Sequence, residues 1–384
     1  MPAPARLAAV LVGTLLLGGV APAVADVSSA PPTSPGVARF NDPTGSVAEQ
    51  YALVRRVDRA VDRTPRGATI RLAAYSFAMP STSRALLRAH RRGVRVQVVV
   101  DDRSAAWGSV RRLSAVLGTS ARRHSFVRVC HRSCRGTTGN QHAKFVTISR
   151  SGRARGLVLV GSMNFTAYAA ARQWQDLYVV RGRPGLFRDF RTVFRSMLRD
   201  RPQGTLSLGS AGDGLRLDLA PVHGPYLNRR RLAEVRCRGA TDGTGWKGRT
   251  VVRVSMHAWN GDRGVALARR LVDLRTRGCN VRVLAGIGFG RHVRSVLERA
   301  HVPMRRTASG SGFTHEKLLL VSGHYAGRRD AGFVWTGSHN WTDRSLHNDE
   351  VTLRVAGQRL VTAYQRNFKR IWDATGSRTA AKPG

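Results

Sequence analysis

Acidic residues and lysine are both scarce in this chain. Its 384 residues hold 23 Asp and Glu against 64 Lys and Arg, a formal net charge of +41. That imbalance excludes a cationic partner or substrate and concentrates polyanions, whether nucleic acid, anionic lipid headgroups or other phosphates. Only Lys144, Lys247, Lys317, Lys369 and Lys382 are lysine. Arginine fills the other basic positions, so a place that keeps lysine asks for a compact ammonium rather than a planar fork. Cysteine is limited to Cys130, Cys134, Cys237 and Cys279. No second Cys pair stands at a zinc-ribbon spacing, which leaves Cys130, Cys134 and nearby His124 or His131 a weak alternative as a metal site. Beyond the N-terminus no segment approaches the roughly 18 apolar residues of a membrane span.

The N-terminus has a single Arg6, an apolar stretch from Leu7 to Val20, and Ala23-Val24-Ala25 before Asp26. This order is expected of a secretory signal peptide over 1–25, which implies a secreted, extracellular protein. An even cysteine count in an oxidising compartment favours disulfides, Cys130 with Cys134 and hence Cys237 with Cys279. Residues 26–45, rich in Ser, Pro and Gly, read as a linker with structure beginning near Ser46, and 376–384 reads as a disordered tail.

Hydrophobic residues make up 42% of the chain, and strings such as VRVQVVV at Val94 to Val100 supply a core. Helical spacing from Tyr51 to Val61, a strand from Thr69 to Phe77, a helix from Ser81 to Arg92 and the strand from Val94 form a βαβ unit. The order returns with a strand from Thr250 to Ala258, a helix from Gly264 to Arg277 and a strand from Val281. Gly93 and Gly278 mark equivalent turns 185 residues apart. The chain is therefore duplicated, with a first repeat over 46–200, a connector over 201–245 that includes a possible edge strand at Leu215 to Ala220, and a second repeat over 246–375. The predicted fold class is α/β: two mixed sheets packed pseudo-symmetrically with flanking helices.

Each half carries His-x-Lys, as His142-Ala143-Lys144 and His315-Glu316-Lys317. Each then carries Gly-Ser-x-Asn-x-Thr, beginning at Gly161 and Gly337, 19 and 22 residues after the histidine. A two-part pattern repeated at near-equal spacing is a far stronger signal than one short motif. On a strand, residues i and i+2 share a face, so each histidine projects beside its lysine. Ser162, Asn164, Ser338 and Asn340 add hydroxyls and amides suited to phosphate oxygens. If the halves meet about a pseudo-twofold, one histidine can attack phosphorus while the other protonates the leaving oxygen, with Lys144 and Lys317 stabilising the phosphoryl oxygens. No cofactor and no metal is required. Two of the five lysines fall on the matched positions. The other histidines read as surface or supporting residues; His339, inside the second Gly-Ser-x-Asn, is the exception and a candidate substrate contact. Trp259 and Trp341 are placed equally well at an entrance or in the core.

These residues resemble the phospholipase D superfamily, whose hallmark is a duplicated His-x-Lys-x4-Asp followed by Gly-Ser-x-Asn. The resemblance spans roughly residues 46 to 375. It departs at Ser149 and Ser322, which stand where the family has an Asp that looks mainly structural. The resemblance implies a covalent phosphohistidine, metal independence, His142 as nucleophile, His315 as general acid, and an acidic residue after Gly-Ser-x-Asn that orients a histidine. Asp176 and Glu350 stand where that residue is expected. The superfamily includes phospholipases, phospholipid synthases and nucleases, so reaction type is implied and substrate is left open. The duplicated, exported, monomer-competent chain resembles a phospholipase D that releases phospholipid headgroups, with no obligate protein partner and anionic surfaces attracted by its charge. A nuclease cutting DNA or RNA is the alternative favoured by that charge, and a non-catalytic polyanion-binding protein on the same fold is the second.

Overall fold

The apolar periodicities are realised as two copies of one αβ arrangement. The computed structural model describes Met1 and residues 35–376, apart from 205–207, 209–213, 222–226, 308, 309 and 311. Residues 2–25 of the expected signal peptide, linker residues 26–34 and tail residues 377–384 lie outside the described residues. Everything below belongs to the unit Pro31–Gly384. The first half runs β1 (Gly36–Phe40), α1 (Val47–Gln50), α2 (Ala52–Asp62), β2 (Thr69–Ala74), α3 (Pro80–Arg91), β3 (Arg95–Asp101), α4 (Gly108–Leu117), β4 (Phe126–Cys130), β5 (Phe145–Ser151), β6 (Ala154–Gly161), α5 (Ala167–Arg172), β7 (Gln173–Trp174), β8 (Asp176–Val180) and α6 (Pro184–Met197). The second runs β9 (Leu215–Ala220), α7 (Leu227–Ala233), β10 (Val251–Trp259), α8 (Gly261–Thr276), β11 (Asn280–Phe289), α9 (Arg291–Arg299), β12 (Met304–Arg306), β13 (Phe313–Thr314), β14 (Lys317–Tyr325), β15 (Arg328–Gly337), β16 (Glu350–Ala356) and α10 (Gln358–Gly376).

Local chemistry explains several boundaries. Ser46 and Glu49 close a capping box at α1, satisfying two helix-end donors. Leu53, Val54, Val57, Ala60 and Val61 put one apolar face of α2 into the core. Pro80 opens α3, where its missing N–H costs nothing.

The sheets are β1-β8-β6-β5-β2-β3-β4 and β9-β16-β15-β14-β10-β11-β12, identical position by position. In the first, β2, β3 and β4 are parallel and the other neighbours antiparallel. In the second, β10, β11 and β12 are parallel and the others antiparallel. The predicted class, two mixed sheets with flanking helices, is the fold observed. The core between the sheets gathers Phe145, Val158 and Val160 with Leu318, Leu320 and Val334, and is closed by Phe190 and Phe194 of α6 and Tyr364, Phe368 and Ile371 of α10. Outer cores lie under α2, α3 and α4 in one half and under α8 and α9 in the other.

One boundary is corrected. Gly36–Phe40, inside the stretch read as linker, is an edge strand paired with β8. Its Ser-, Pro- and Gly-rich surroundings masked a short run whose ladder partner comes from 140 positions later, and structure begins ahead of Ser46. Leu215–Ala220 takes the equivalent edge place beside β16.

Cys130 is bonded to Cys134, and Cys237 to Cys279 across 42 residues. The longer bridge ties the segment after α7 to the turn entering β11. Loop-closure entropy for that span gives a stabilisation of about 4 kcal/mol. Replacing Cys237 and Cys279 by serine should therefore lower the thermal midpoint by several degrees, read by calorimetry against the parent protein; an unchanged midpoint would show that the bridge constrains nothing.

Candidate active site

His142 and Ala143 lead into β5 with Lys144, and His315 and Glu316 lead into β14, whose first residue is Lys317. Each segment is gripped by the opposite half. The His142 N–H donates to the Asp349 carbonyl at 3.1 Å, and the His315 N–H donates to the Trp174 carbonyl at 2.9 Å beside the β7–β13 pair. Alternation along the extended chain sets His142 and Lys144 on one face and His315 and Lys317 on the equivalent one. Each lysine Nζ donates to the carbonyl of the histidine two residues earlier, at 2.6 Å in both halves. The intervening Glu316 turns away and accepts from Asn367 Nδ2 at 2.7 Å.

All four side chains are buried, with 2% to 7% of their surface exposed. Burial disfavours the charged form of each. It pushes His142 down to about 4 against the pull of Glu350, and Lys144 down to about 7. Burial and the neighbouring cations hold His315 and Lys317 well below their ordinary values. The result is a buried cluster of basic groups whose charged forms a nearby anion would favour.

Glu350 lies within hydrogen-bond reach of His142. The His142 Nδ1–H donates to the carboxylate, both oxygens lying at 2.9 Å. Burial pushes Glu350 upward, but His142, His339 and Lys144 outweigh it and keep it ionised, at about 2. Asn348 Nδ2 donates to it at 3.0 Å. The loop closed by Cys130 and Cys134 supports the same strand entry: the Cys134 N–H and Ser133 Oγ donate to Asp349 at 2.6 and 3.0 Å.

Asp176 does not orient a histidine. It accepts from Ser162 Oγ at 2.6 Å, from Tyr364 OH at 2.7 Å and from Thr336 Oγ1. Strand register gives the reason. Gly161 faces Leu177, whereas Gly337 faces Thr352, so Asp176 matches Val351 and Gln175 matches Glu350. A displacement of one residue sends a strand side chain to the other face. Gln175 spends its amide locally, accepting from the Asn164 N–H at 2.8 Å and donating to the Ala169 carbonyl at 2.7 Å. His315 Nδ1 donates instead to the Ser162 carbonyl at 2.9 Å, a neutral acceptor.

The two motif serines are also corrected. Ser162 Oγ is bonded to Asp176 and Ser338 Oγ accepts from the Val351 N–H at 3.0 Å, and both residues are fully buried. They staple adjacent strands where the sequence assigned them to phosphate. The preceding glycines permit this approach: a Cβ on Gly161 or Gly337 would stand 2.2 Å from the Asp176 carbonyl oxygen or 2.1 Å from that of Val351. Asn164 does reach the site, its Nδ2 lying 3.4 Å from His315 Nε2. Asn340 is held through its Oδ1 by the Ala258 N–H at 3.2 Å. Ser149 and Ser322, at the departure from the superfamily pattern, accept the Thr69 and Gly245 N–H groups at 2.9 and 3.1 Å. Each thus performs a structural task.

Three site residues escaped the sequence reading. The Tyr75 ring packs 4.7 Å from His142 and the His257 ring 4.5 Å from His315. Pairing of Ala73 with Phe145 and of Ser255 with Leu318 makes Tyr75 and His257 equivalents, a signal present in the duplicated order but invisible without the register. Burial and Lys317 push His257 down to about 3, and its Nδ1–H donates to the Thr314 carbonyl at 3.3 Å. The third is Arg263, buried on α8, which donates to His339 Nε2 at 3.3 Å and to the Thr342 carbonyl at 3.0 Å. His339 is thereby tied down behind Glu350. Trp259 and Trp341 stack edge to face 4.5 Å apart in the second outer core.

Among the described residues no group of three or more His, Cys, Asp or Glu is placed to hold a metal ion, and no helix is long and apolar enough to cross a membrane.

The chain is 32% identical over 112 residues to the mitochondrial cardiolipin hydrolase of Xenopus tropicalis, covering 28% of this chain and 49% of that protein. It thus spans about half the length of the curated relatives it matches. Among solved structures, phosphatidylserine synthase of Haemophilus influenzae superposes with a TM-score of 0.53 at 11% identity, over 89% of this chain and 88% of that one. The polyphosphate kinase of Porphyromonas gingivalis gives 0.54 at 16% identity, over 88% of this chain and 50% of that one. These two likenesses concern the fold alone. The family described as "Cardiolipin synthase, PLD-like domain" matches residues 64–198 and 249–372. Each matched segment holds one His-x-Lys and one Gly-Ser-x-Asn, together they make up more than half of the sequence, and the chain belongs to this phospholipase D-like family.

Proposed function

We propose that this protein is an exported phosphodiesterase of the phospholipase D type, acting as a monomer to hydrolyse phospholipid headgroups through a phosphohistidine on His142. The observation that carries the reading is the His142–Glu350 bond. With its Nδ1 proton committed to a carboxylate, the ring keeps a lone pair on Nε2, and Glu350 stabilises the positive imidazolium that forms when Nε2 bonds to phosphorus. The phosphodiester anion would lie against Lys144 and Lys317, with Asn164 at its edge. Its charge offsets the burial and the cation repulsion that depress His315, so that His315 Nε2 carries a proton in the complex. Attack by His142 Nε2 breaks the bond from phosphorus to the headgroup oxygen, which takes the His315 proton. His315 then removes a proton from water, the hydroxide attacks phosphorus, the P–N bond breaks, and phosphatidic acid leaves. Both halves of the cycle consume one proton donor and one acceptor that the site already contains. The pair of disulfides supports maturation in an oxidising compartment. The likeness to a cardiolipin hydrolase supports a lipid substrate.

His142→Ala and His315→Ala should each lower turnover of a phosphodiester by about 1,000-fold or more while leaving the thermal midpoint near that of the parent. Acid-quenched protein should carry the trapped phosphoryl group on His142; finding it on His315 alone would reverse the two roles. Chelators should leave the rate unchanged.

Binding of tungstate, a phosphate mimic, should weaken as pH rises through about 7, where the Lys144 ammonium is lost. Glu350 raises the proton affinity of both Lys144 and His142. Glu350→Gln should therefore move the tungstate midpoint to lower pH, by calorimetric titration across a pH series. A midpoint that stays put or rises would remove Glu350 from the site's electrostatics.

Substrate class is settled by offering phosphatidylcholine, phosphatidylglycerol, single-stranded DNA and RNA side by side over a salt series. Headgroup release from zwitterionic lipid should dominate and depend little on salt. A nuclease, which the net charge of +41 would suit, should instead lose affinity with a log–log slope of about −0.7 to −0.9 per phosphate contacted. Polymer cleavage without headgroup release would overturn the lipid assignment.

A further inference from the structure

We infer that an arginine-lined cavity at the far end of the first half's sheet is a binding site for a chain of linked phosphates, separate from the catalytic histidines. The cavity has a volume of about 610 Å³ and is lined by Arg39, Arg56, Arg59, Arg63, Arg153 and Arg181. The size falls within the range of ligand sites. It sits where β5 turns into β6. From Phe145, next to the catalytic Lys144, to Ser151 at the cavity, β5 spans about 20 Å.

Four separate pieces of backbone bring these side chains together. Arg56, Arg59 and Arg63 recur at i, i+3 and i+7 along α2 and its C-cap, which places them on one helix face. Arg39 comes from the edge strand β1, Arg153 from the β5–β6 turn and Arg181 from the end of β8. No carboxylate lines the cavity. Among the described residues none of the six is ion-paired with Asp or Glu, while other arginines of the same half, Arg88 and Arg128, are paired. Arg56 is half-buried, and its Nε has no hydrogen-bond partner among the described residues. Burial and then the charges of Arg39, Arg59, Arg63 and Arg181 depress its proton affinity.

Arg56 is half-buried and the other five are exposed, and with no carboxylate in the lining an anion entering the cavity would offset their mutual repulsion. Guanidinium forks match phosphate oxygens two at a time, so one orthophosphate would satisfy about two of the six. The site as a whole therefore fits an oligophosphate. It does not fit a nucleic-acid strand equally well, because no aromatic residue lines the cavity to stack a base. Its concave form and mostly polar lining also differ from a membrane-binding face.

Isothermal titration of the intact protein with inorganic tripolyphosphate tests the assignment without any turnover. Saturable binding is expected, unchanged in His142→Ala and at least tenfold weaker in a variant carrying Arg56→Gln, Arg59→Gln and Arg63→Gln. A charge-matched control carrying Arg111→Gln, Arg112→Gln and Arg122→Gln, at exposed positions on or just beyond α4, should change affinity less than threefold. Orthophosphate should bind far more weakly than tripolyphosphate. If the α2 variant does not fold, Arg153→Gln with Arg181→Gln removes charge contributed by the strand ends and should weaken binding by a similar factor. Equal weakening in the cavity and control variants would reduce the site to general surface charge. Equal affinity for orthophosphate, or cavity-dependent binding of a DNA or RNA strand in place of tripolyphosphate, would overturn the ligand class. Because binding is read alone, loss of the oligophosphate site leaves the phosphodiesterase proposal intact, and failure of that proposal leaves this one standing.

Discussion

The hydrogen bond from His142 to Glu350 joins residues 208 positions apart, and the rest of the site depends on it. Neither half contains a finished histidine. His142 takes its acceptor from the second half, and His315 takes its own from the Ser162 carbonyl of the first. The backbones are exchanged in the same way, with Asp349 and Trp174 receiving the two histidine N–H groups. Docking of the sheets is therefore a condition for the chemistry as well as for burying the central core. That core has Phe145 and Val160 on one side and Leu318 and Leu320 on the other, each close in sequence to a His-x-Lys or Gly-Ser-x-Asn segment.

The same docking creates the electrostatic problem that makes the site useful. Two lysines and three histidines share a buried region with Glu350, which they hold ionised. Desolvation lowers the proton affinity of every cation there. An entering phosphodiester supplies the missing negative charge, so binding and the tuning of His315 become one event. Selection of lysine at Lys144 and Lys317, in a chain that otherwise uses arginine, follows from this setting. A compact ammonium can turn to its own strand's carbonyl at 2.6 Å and still face an anion, which a rigid guanidinium fork cannot do in the same space.

The pseudo-symmetry is close in topology and broken in chemistry. Sheet order and strand sense repeat without exception, yet Glu350 is matched by Gln175 and His257 by Tyr75. One histidine faces a carboxylate and a phenol ring, the other a carbonyl and a second imidazole. Two halves of equal fold are thus chemically unequal, and the proposed mechanism uses the carboxylate-backed ring for the positive covalent intermediate and the neutral-backed ring for proton exchange. On the outside, six arginines that have no ion-pair partner among the described residues gather at the far end of the first sheet.

The duplication, the α/β class, both His-x-Lys pairs and the two cysteine pairings were legible in the linear order, because each rests on a local pattern or on repetition of one. Strand β1 was not, since five residues in a Ser-, Pro- and Gly-rich setting become a strand only when β8 offers its edge. Nor was the placement of Asp176, where counting along the chain cannot reveal a one-residue shift of register that turns a carboxylate from a histidine toward Ser162 and Tyr364. The motif serines likewise looked like phosphate ligands until their hydroxyls were seen to staple adjacent strands. Composition and spacing by themselves determined which residue types are available for phosphoryl chemistry. Only the tertiary structure decided which of them face one another, because strand register and the docking of two sheets are set by packing between segments far apart in the chain.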